Sequence, residues 1–118
     1  MKNVIAWVEI PATNFERAVK FYNEVLNIQL ETIDCGIEKM ALLPDDAGAI
    51  SYAPDFHPSK DGVLVSFNTE NKLDATIERI KNSGGKIVKP KTKIEAEGRG
   101  YFALFIDCEG NRLGLYGE

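Results

Sequence analysis

WVEIPATNFERAVKFYNEVLNIQL, residues 7–30, is the stretch from which the fold of this chain is read. It opens with a short apolar run in which Trp7, Glu9 and Pro11 share one face of a strand. Thr13 begins a T-x-x-E capping box with Glu16, which predicts a helix start. Phe15, Ala18, Val19, Tyr22, Val25 and Leu26 then recur at helical spacing, an amphipathic stripe that needs an apolar partner. Asn27 ends the pattern, and residues 28–33 read as a second strand. The unit is β-α-β, with one helix laid across one face of a sheet.

A second copy starts at Val63. VLVSFNTENKLDATIERIKNSGGKIV repeats the order of strand, polar junction, amphipathic helix, glycine stop and strand. Phe15 corresponds to Leu73, Glu16 to Asp74, Val19 to Ile77 and Tyr22 to Ile80. The ends of the halves match as well: MALLPDDAGAISY and FALFIDCEGNRLGLY each give an apolar run, an acidic turn with glycine, and another strand. The chain of 118 residues is therefore expected to be a single α+β domain of two tandem β-α-β-β-β modules. The first covers about 1–56 and the second about 63–118. A linker at about 54–62 is marked by Asp55, Pro58 and Gly62.

Composition narrows the function classes. With 44% apolar and 27% charged residues the chain is an ordinary globular sequence. Its net charge of −4 argues against a nucleic-acid partner. The one basic run, Lys86–Lys93, is balanced by Glu95 and Glu97 and reads as a solvated strand and loop. No run approaches the ~20 apolar residues of a membrane span, and the N-terminus leads into a capped helix rather than a cleavage site. Cys35 and Cys108 follow no disulfide or metal pattern, so a cytosolic chain with reduced thiols is expected. In DCEGN, neighbouring carboxylates should raise the pKa of Cys108 and disfavour a thiolate nucleophile. His57 is the only histidine and lies in the polar linker. Gly98 and Gly100 flank Arg99 with no helix behind them, so they make no nucleotide loop.

Strand parity selects the residues able to do chemistry. Val63, Val65 and Phe67 share one face, as do Val8 and Ile10, and these faces should take the helices. The other faces carry Trp7 and Glu9 in one half and Leu64 and Ser66 in the other. With no helices left to cover them, they should line the concave side of a curved, partly closed sheet around a cavity.

The duplicated plan, with IPATNFERAVKFYNEVLNIQL near the start and GYFALFIDCEGNRLGLY near the end, resembles the vicinal oxygen chelate superfamily. That superfamily includes glyoxalase I, extradiol dioxygenases, and bleomycin- and fosfomycin-resistance proteins, and short glyoxalase-like members are the most similar. The resemblance implies a homodimer and a concave site for a small organic molecule. In metal-dependent members four strands supply His, Glu or Gln to a divalent ion. The matching positions here are Trp7, Leu64, Gly114 and, on a looser match, Tyr52. Three of these side chains donate no metal-binding atom and tyrosine is an uncommon ligand, so no metal cofactor is expected. Metal-based glyoxalase or dioxygenase chemistry is correspondingly not expected.

Glu9 is the candidate catalytic residue, as a general base or as the anchor of a cationic or hydrogen-bond-donating ligand. A structural carboxylate is the alternative. Enclosure would raise its pKa above the ~4.3 of a free glutamate, while Arg112, on the same strand face as Gly114, would oppose that rise. Trp7 offers a stacking wall or fills the space of the lost metal. Tyr52, Tyr101 and Tyr116 bring hydroxyls near strand ends, and Leu64, Ser66, Arg112 and Gly114 complete the expected lining. Glu95–Gly100, with two glycines, is a candidate flap. Three readings stand. The first is a small-molecule binder without chelated metal. The second is a lyase or isomerase using Glu9, or a lyase with metal ligands relocated to His57 with Glu9 or Asp61. The third is a structural or regulatory dimer with a vestigial cavity.

Overall fold

The computed structural model describes residues 4–118; residues 1–3 of the first module lie outside it. The elements follow the duplicated order. The first module is β1 (Val8–Pro11), α1 (Phe15–Leu26), β2 (Glu31–Asp34), β3 (Lys39–Leu42) and β4 (Gly48–Tyr52). The second is β5 (Ser66–Glu70), α2 (Leu73–Asn82), β6 (Lys86–Lys93), β7 (Tyr101–Ile106) and β8 (Arg112–Gly117). Each module makes its own four-stranded mixed sheet, ordered β1-β4-β3-β2 and β5-β8-β7-β6. In both, the strand before the helix runs parallel to the last strand and the remaining pairs are antiparallel.

Helix α1 starts one residue later than the capping box suggests. Asn14 is the N-cap, its Oδ1 accepting from the Arg17 amide at 3.0 Å. The Thr13 amide instead donates to Glu109 Oε1, 96 positions away, at 2.8 Å. The helix ends as expected at Asn27, which adopts the left-handed conformation at φ 55° and closes the last turn through its amide. Its buried residues are Ala18, Phe21, Tyr22 and Val25. Phe21 falls outside the predicted stripe because the helix has two partners: its own sheet and the second module. The Phe21 ring lies 6.5 Å from that of Phe105, and the Tyr22 ring 5.8 Å from that of Phe67. On α2, Leu73, Thr76, Ile77 and Ile80 are buried, and Arg79 Nε donates to the Val25 carbonyl at 3.0 Å. One core therefore joins both helices to both sheets, with Ile10, Ala41 and Ile50 from the first and Phe105, Leu113 and Leu115 from the second.

Three strand boundaries differ from the sequence reading, the first being β1, which begins at Val8 and leaves Trp7 just outside the strand face it was expected to share with Glu9. The second strand is Glu31–Asp34 rather than 28–33, because Asn23 Oδ1 accepts from the Leu30 amide and holds that segment against the helix end. β5 is Ser66–Glu70 rather than 63–67, and carries a bulge between Asn68 and Glu70, where Glu70 takes φ 55°. The bulge absorbs one residue. The helices are thus offset by 58 positions while the outward strand positions Glu9 and Ser66 are offset by 57. β4 packs so tightly on β1 that a Cβ on Gly48 would stand 1.8 Å from the Val8 carbonyl oxygen.

Candidate functional site

Ile10 is buried in the core, so alternation turns its neighbour Glu9 to the outer face of the first sheet, where it is exposed. On β4 the same parity buries Ile50 inward and puts Ser51 outward. The Ser51 hydroxyl donates to Glu9 Oε1 at 2.8 Å, which holds the carboxylate while leaving lone pairs for a ligand. A hollow of about 340 Å³ opens beside this pair, with Met40, Ala53 and Phe56 as its apolar wall, Glu38 as a second acid and Lys39 as one base in its lining. This arrangement accepts hydrogen bonds from a cation or donor whose body is apolar. Ser51 was not singled out from sequence, although the parity of Ile50 signals its direction.

The structure groups the other expected residues by face. Ser66, Arg112 and Gly114 lie on the outer face of the second sheet, where Ser66 pairs with Gly114. A Cβ on Gly114 would stand 2.4 Å from Ser66 Oγ, so the glycine makes room for that hydroxyl. Trp7 and Leu64 precede β1 and β5 and are 41% and 45% exposed. Tyr52 and Tyr101 are on the helix-facing sides by the same alternation, and each ring has a lysine above it. Tyr52 also borders a separate hollow of about 760 Å³ at the start of α1, beside Phe15, Ile37 and Lys39. Glu9 and Arg112 form no ion pair among the described residues. The enclosure invoked for Glu9 is not provided by the single chain, since its side is open. His57 and Asp61 are exposed in the connection. The Glu95–Gly100 loop is closed by the Ile94 amide on the Gly100 carbonyl at 2.9 Å.

The residues of one chain do not fit a chelated ion. Glu9 pairs in register with Ala49, and its equivalent Ser66 pairs with Gly114. Ala49, rather than Tyr52, is therefore the register equivalent of Gly114. The outward positions Glu9, Ala49, Ser66 and Gly114 supply one carboxylate and one hydroxyl, and Trp7 and Leu64, the family-matched positions just before β1 and β5, supply no donor, short of the several O, N or S donors that a divalent ion needs. No group of three or more His, Cys, Asp or Glu placed to share a metal occurs among the described residues.

The DCEGN turn is an anchor whose two ends, Asp107 and Asn111, are buried. Asp107, 4% exposed, accepts from the Tyr22 hydroxyl at 2.5 Å and from Asn111 Nδ2 at 3.0 Å. Burial, then the Asp107 charge, holds the Tyr22 phenol well above its usual pKa. Glu109 caps α1, accepting from the Thr13 and Asn14 amides at 2.8 and 2.7 Å and from Arg17 Nε at 2.5 Å. Burial alone would raise its pKa, but the Arg17 and Asn14 hydrogen bonds outweigh it and the net shift is downward. The same Glu109 hydrogen bond and charge raise the pKa of Arg17. The Cys108 thiol is pushed up to about 12, first by burial and then by Glu109 and Asp107.

Comparison with known proteins gives a consistent set. The family model described as the Glyoxalase/Bleomycin resistance protein/Dioxygenase superfamily matches residues 4–115. A glyoxylase-like domain-containing protein of Didymella fabae is 31% identical over 117 residues, covering 91% of this chain and 88% of that protein. Among solved structures, a glyoxalase/bleomycin resistance protein from Albidiferax ferrireducens superposes with TM-score 0.75 at 17% identity, covering 98% and 99% of the two chains. The fosfomycin resistance protein FosX of Listeria monocytogenes gives TM-score 0.73 at 20% identity, covering 100% and 95%.

Proposed function

Since this chain belongs to the glyoxalase/bleomycin resistance protein/dioxygenase superfamily, we propose that it binds a small organic cation or hydrogen-bond donor at Glu9, without a chelated metal and as a homodimer. The observation that carries this reading is the Glu9 carboxylate, held by Ser51 at 2.8 Å beside an apolar-walled hollow. A charge-assisted hydrogen bond to an exposed carboxylate contributes up to about 1 kcal/mol, which favours an amine over a neutral molecule of the same shape. The apolar wall of Met40, Ala53 and Phe56 supplies the rest of the contact. Two free cysteines, one of them exposed, suit a reducing compartment such as the cytosol.

The test is a thermal-shift screen of amine-bearing and neutral ligands on the wild type and Glu9→Gln. Amines should raise the melting temperature of the wild type and lose most of that shift in the variant, with neutral apolar ligands unchanged. Ni²⁺, Zn²⁺ and Mn²⁺ included in the same screen should leave the melting temperature where it is. Equal shifts for every ligand in both proteins would make Glu9 a bystander.

A further inference from the structure

We propose that the hollow of about 760 Å³ at the start of α1 is a second binding site, for a small aromatic zwitterion, a ring carrying both an ammonium and a carboxylate. Its volume lies within the roughly 300–1,000 Å³ of small-molecule sites. It shares only Lys39 and Tyr52 with the hollow beside Glu9. Its charges are free for a reason visible in the helix start. A T-x-x-E capping box would have Glu16 accept from an amide there. Here Glu109 takes the Thr13 and Asn14 amides at 2.8 and 2.7 Å, and Asn14 takes that of Arg17 at 3.0 Å. Glu16 is left exposed on the wall of the hollow. Lys39 stands on another wall, its Nζ 6.0 Å from the centre of the Tyr52 ring. Among the described residues neither Glu16 nor Lys39 has an ion-pair partner, whereas Arg17, the third charge of the lining, is paired with Glu109. One free acid and one free base thus border a single space without neutralising each other.

The apolar part of the lining suits a ring. Phe15, Tyr52 and Pro54 border the hollow together with Ile37. Ile37 is 74% exposed and takes no part in the core. It belongs to the turn between β2 and β3, which is pinned from both sides. The Cys35 amide donates to the Glu38 carbonyl at 2.9 Å, and the Gly36 amide to Asp34 Oδ1 at 2.8 Å. An isoleucine held in this way beside two aromatic rings forms an apolar slot, in which a third ring gains contact with Tyr52 or Phe15. A ring seated there sends its ammonium to Glu16 and its carboxylate to Lys39. A cation alone would answer Glu16 and face Lys39 unpaired, and an anion alone would do the reverse. A molecule with both charges answers both, which is the electrostatic ground for its selection.

Amide chemical-shift mapping by NMR on the full chain, with L-phenylalanine as the probe, tests this. The probe should move the amides of Phe15, Gly36 and Ile37 saturably, with a Kd on the order of 1 mM. Phenylacetate and phenethylamine each lack one of the two charges. Each should bind at these amides roughly two- to fivefold more weakly, the worth of one exposed ion pair. Glu16→Gln should erase the preference for phenylalanine over phenylacetate, and Lys39→Met the preference over phenethylamine. The probe series on the wild type needs no substitution and stands even where a variant folds poorly. No saturable shift at these amides, equal affinity for the three probes, or shifts confined to Met40, Ser51 and Ala53 would each overturn the proposal. Shifts at Phe15 and Ile37 that follow protein concentration and ignore the probe would give the hollow to a second copy and overturn it as well. Glu9→Gln should leave the phenylalanine response at Phe15, Gly36 and Ile37 unchanged, so this site and the one at Glu9 stand or fall separately.

Discussion

Glu109 shows how a single side chain joins distant parts of this molecule. Its side chain is fully buried and takes two α1 amides and the Arg17 guanidinium. Arg17 is itself 53% exposed, so the amide bonds carry more of the stabilisation than the ion pair. The folded pKa of Glu109 lies below its ordinary 4.5. Its contribution is therefore complete above the unfolded value and lost as pH falls through the folded one. Glu109→Gln should cost about 1.5–3 kcal/mol at neutral pH. Melting curves taken at falling pH should show the wild-type advantage shrinking below about pH 4.5; a constant gap down to acid would exclude this account. The neighbouring Cys108, at about 12, should resist alkylation in the native state, while exposed Cys35 reacts. Mass spectrometry after iodoacetamide at pH 8 reads both thiols, and native labelling of Cys108 would contradict its burial. Part of this was legible in sequence. The acidic neighbours of Cys108 gave the direction of its shift, but its burial and the contacts of Glu109 come from residues 91 to 96 positions away.

At the level of elements, periodicity carried most of the information and long-range contacts supplied the corrections. The α1 stripe located the helix, and Asn27 marked its end, because both depend on neighbours within one turn. The start moved from Thr13 to Asn14 because the Thr13 amide has a partner in the second module. Phe21 was missed because a single amphipathic stripe assumes one packing face. The bulge at Asn68–Glu70 was also unreadable, since it depends on how β5 meets β8. Parity nevertheless put Glu9 and Ser66 on outer faces, whereas Tyr52 and Tyr101 fall on the helix side. The β1–β4 contact makes a sharp prediction. Gly48→Ala would drive a methyl into the Val8 carbonyl at 1.8 Å, a backbone atom that no rotamer change can move. Denaturant titration should show a loss of roughly 2–4 kcal/mol, at the high end for a single substitution. A loss below about 0.5 kcal/mol, typical of an unconstrained surface site, would mean that β1 and β4 are not packed this closely.

The molecule as a whole is two copies of one plan that cannot be separated without dismantling the core. The duplication was visible because matching order over both halves does not depend on contact. How the halves pack was not visible, because it rests on Phe21, Tyr22 and Arg79 reaching across the modules. Without the second module, Phe21 loses Phe105 and Tyr22 loses both Phe67 and its Asp107 acceptor. Glu109 no longer caps α1, and the Val25 carbonyl loses Arg79. The first module would then expose two aromatic side chains that are 0–2% accessible in the whole chain. A unit of about 60 residues is marginal even with its core intact. Residues 1–58 expressed alone should therefore give an unfolded or aggregating product, with no cooperative melt by circular dichroism, while the full chain melts in one transition. A soluble first half with its own sharp melt would show that the interlocked aromatic core is not what holds the module together.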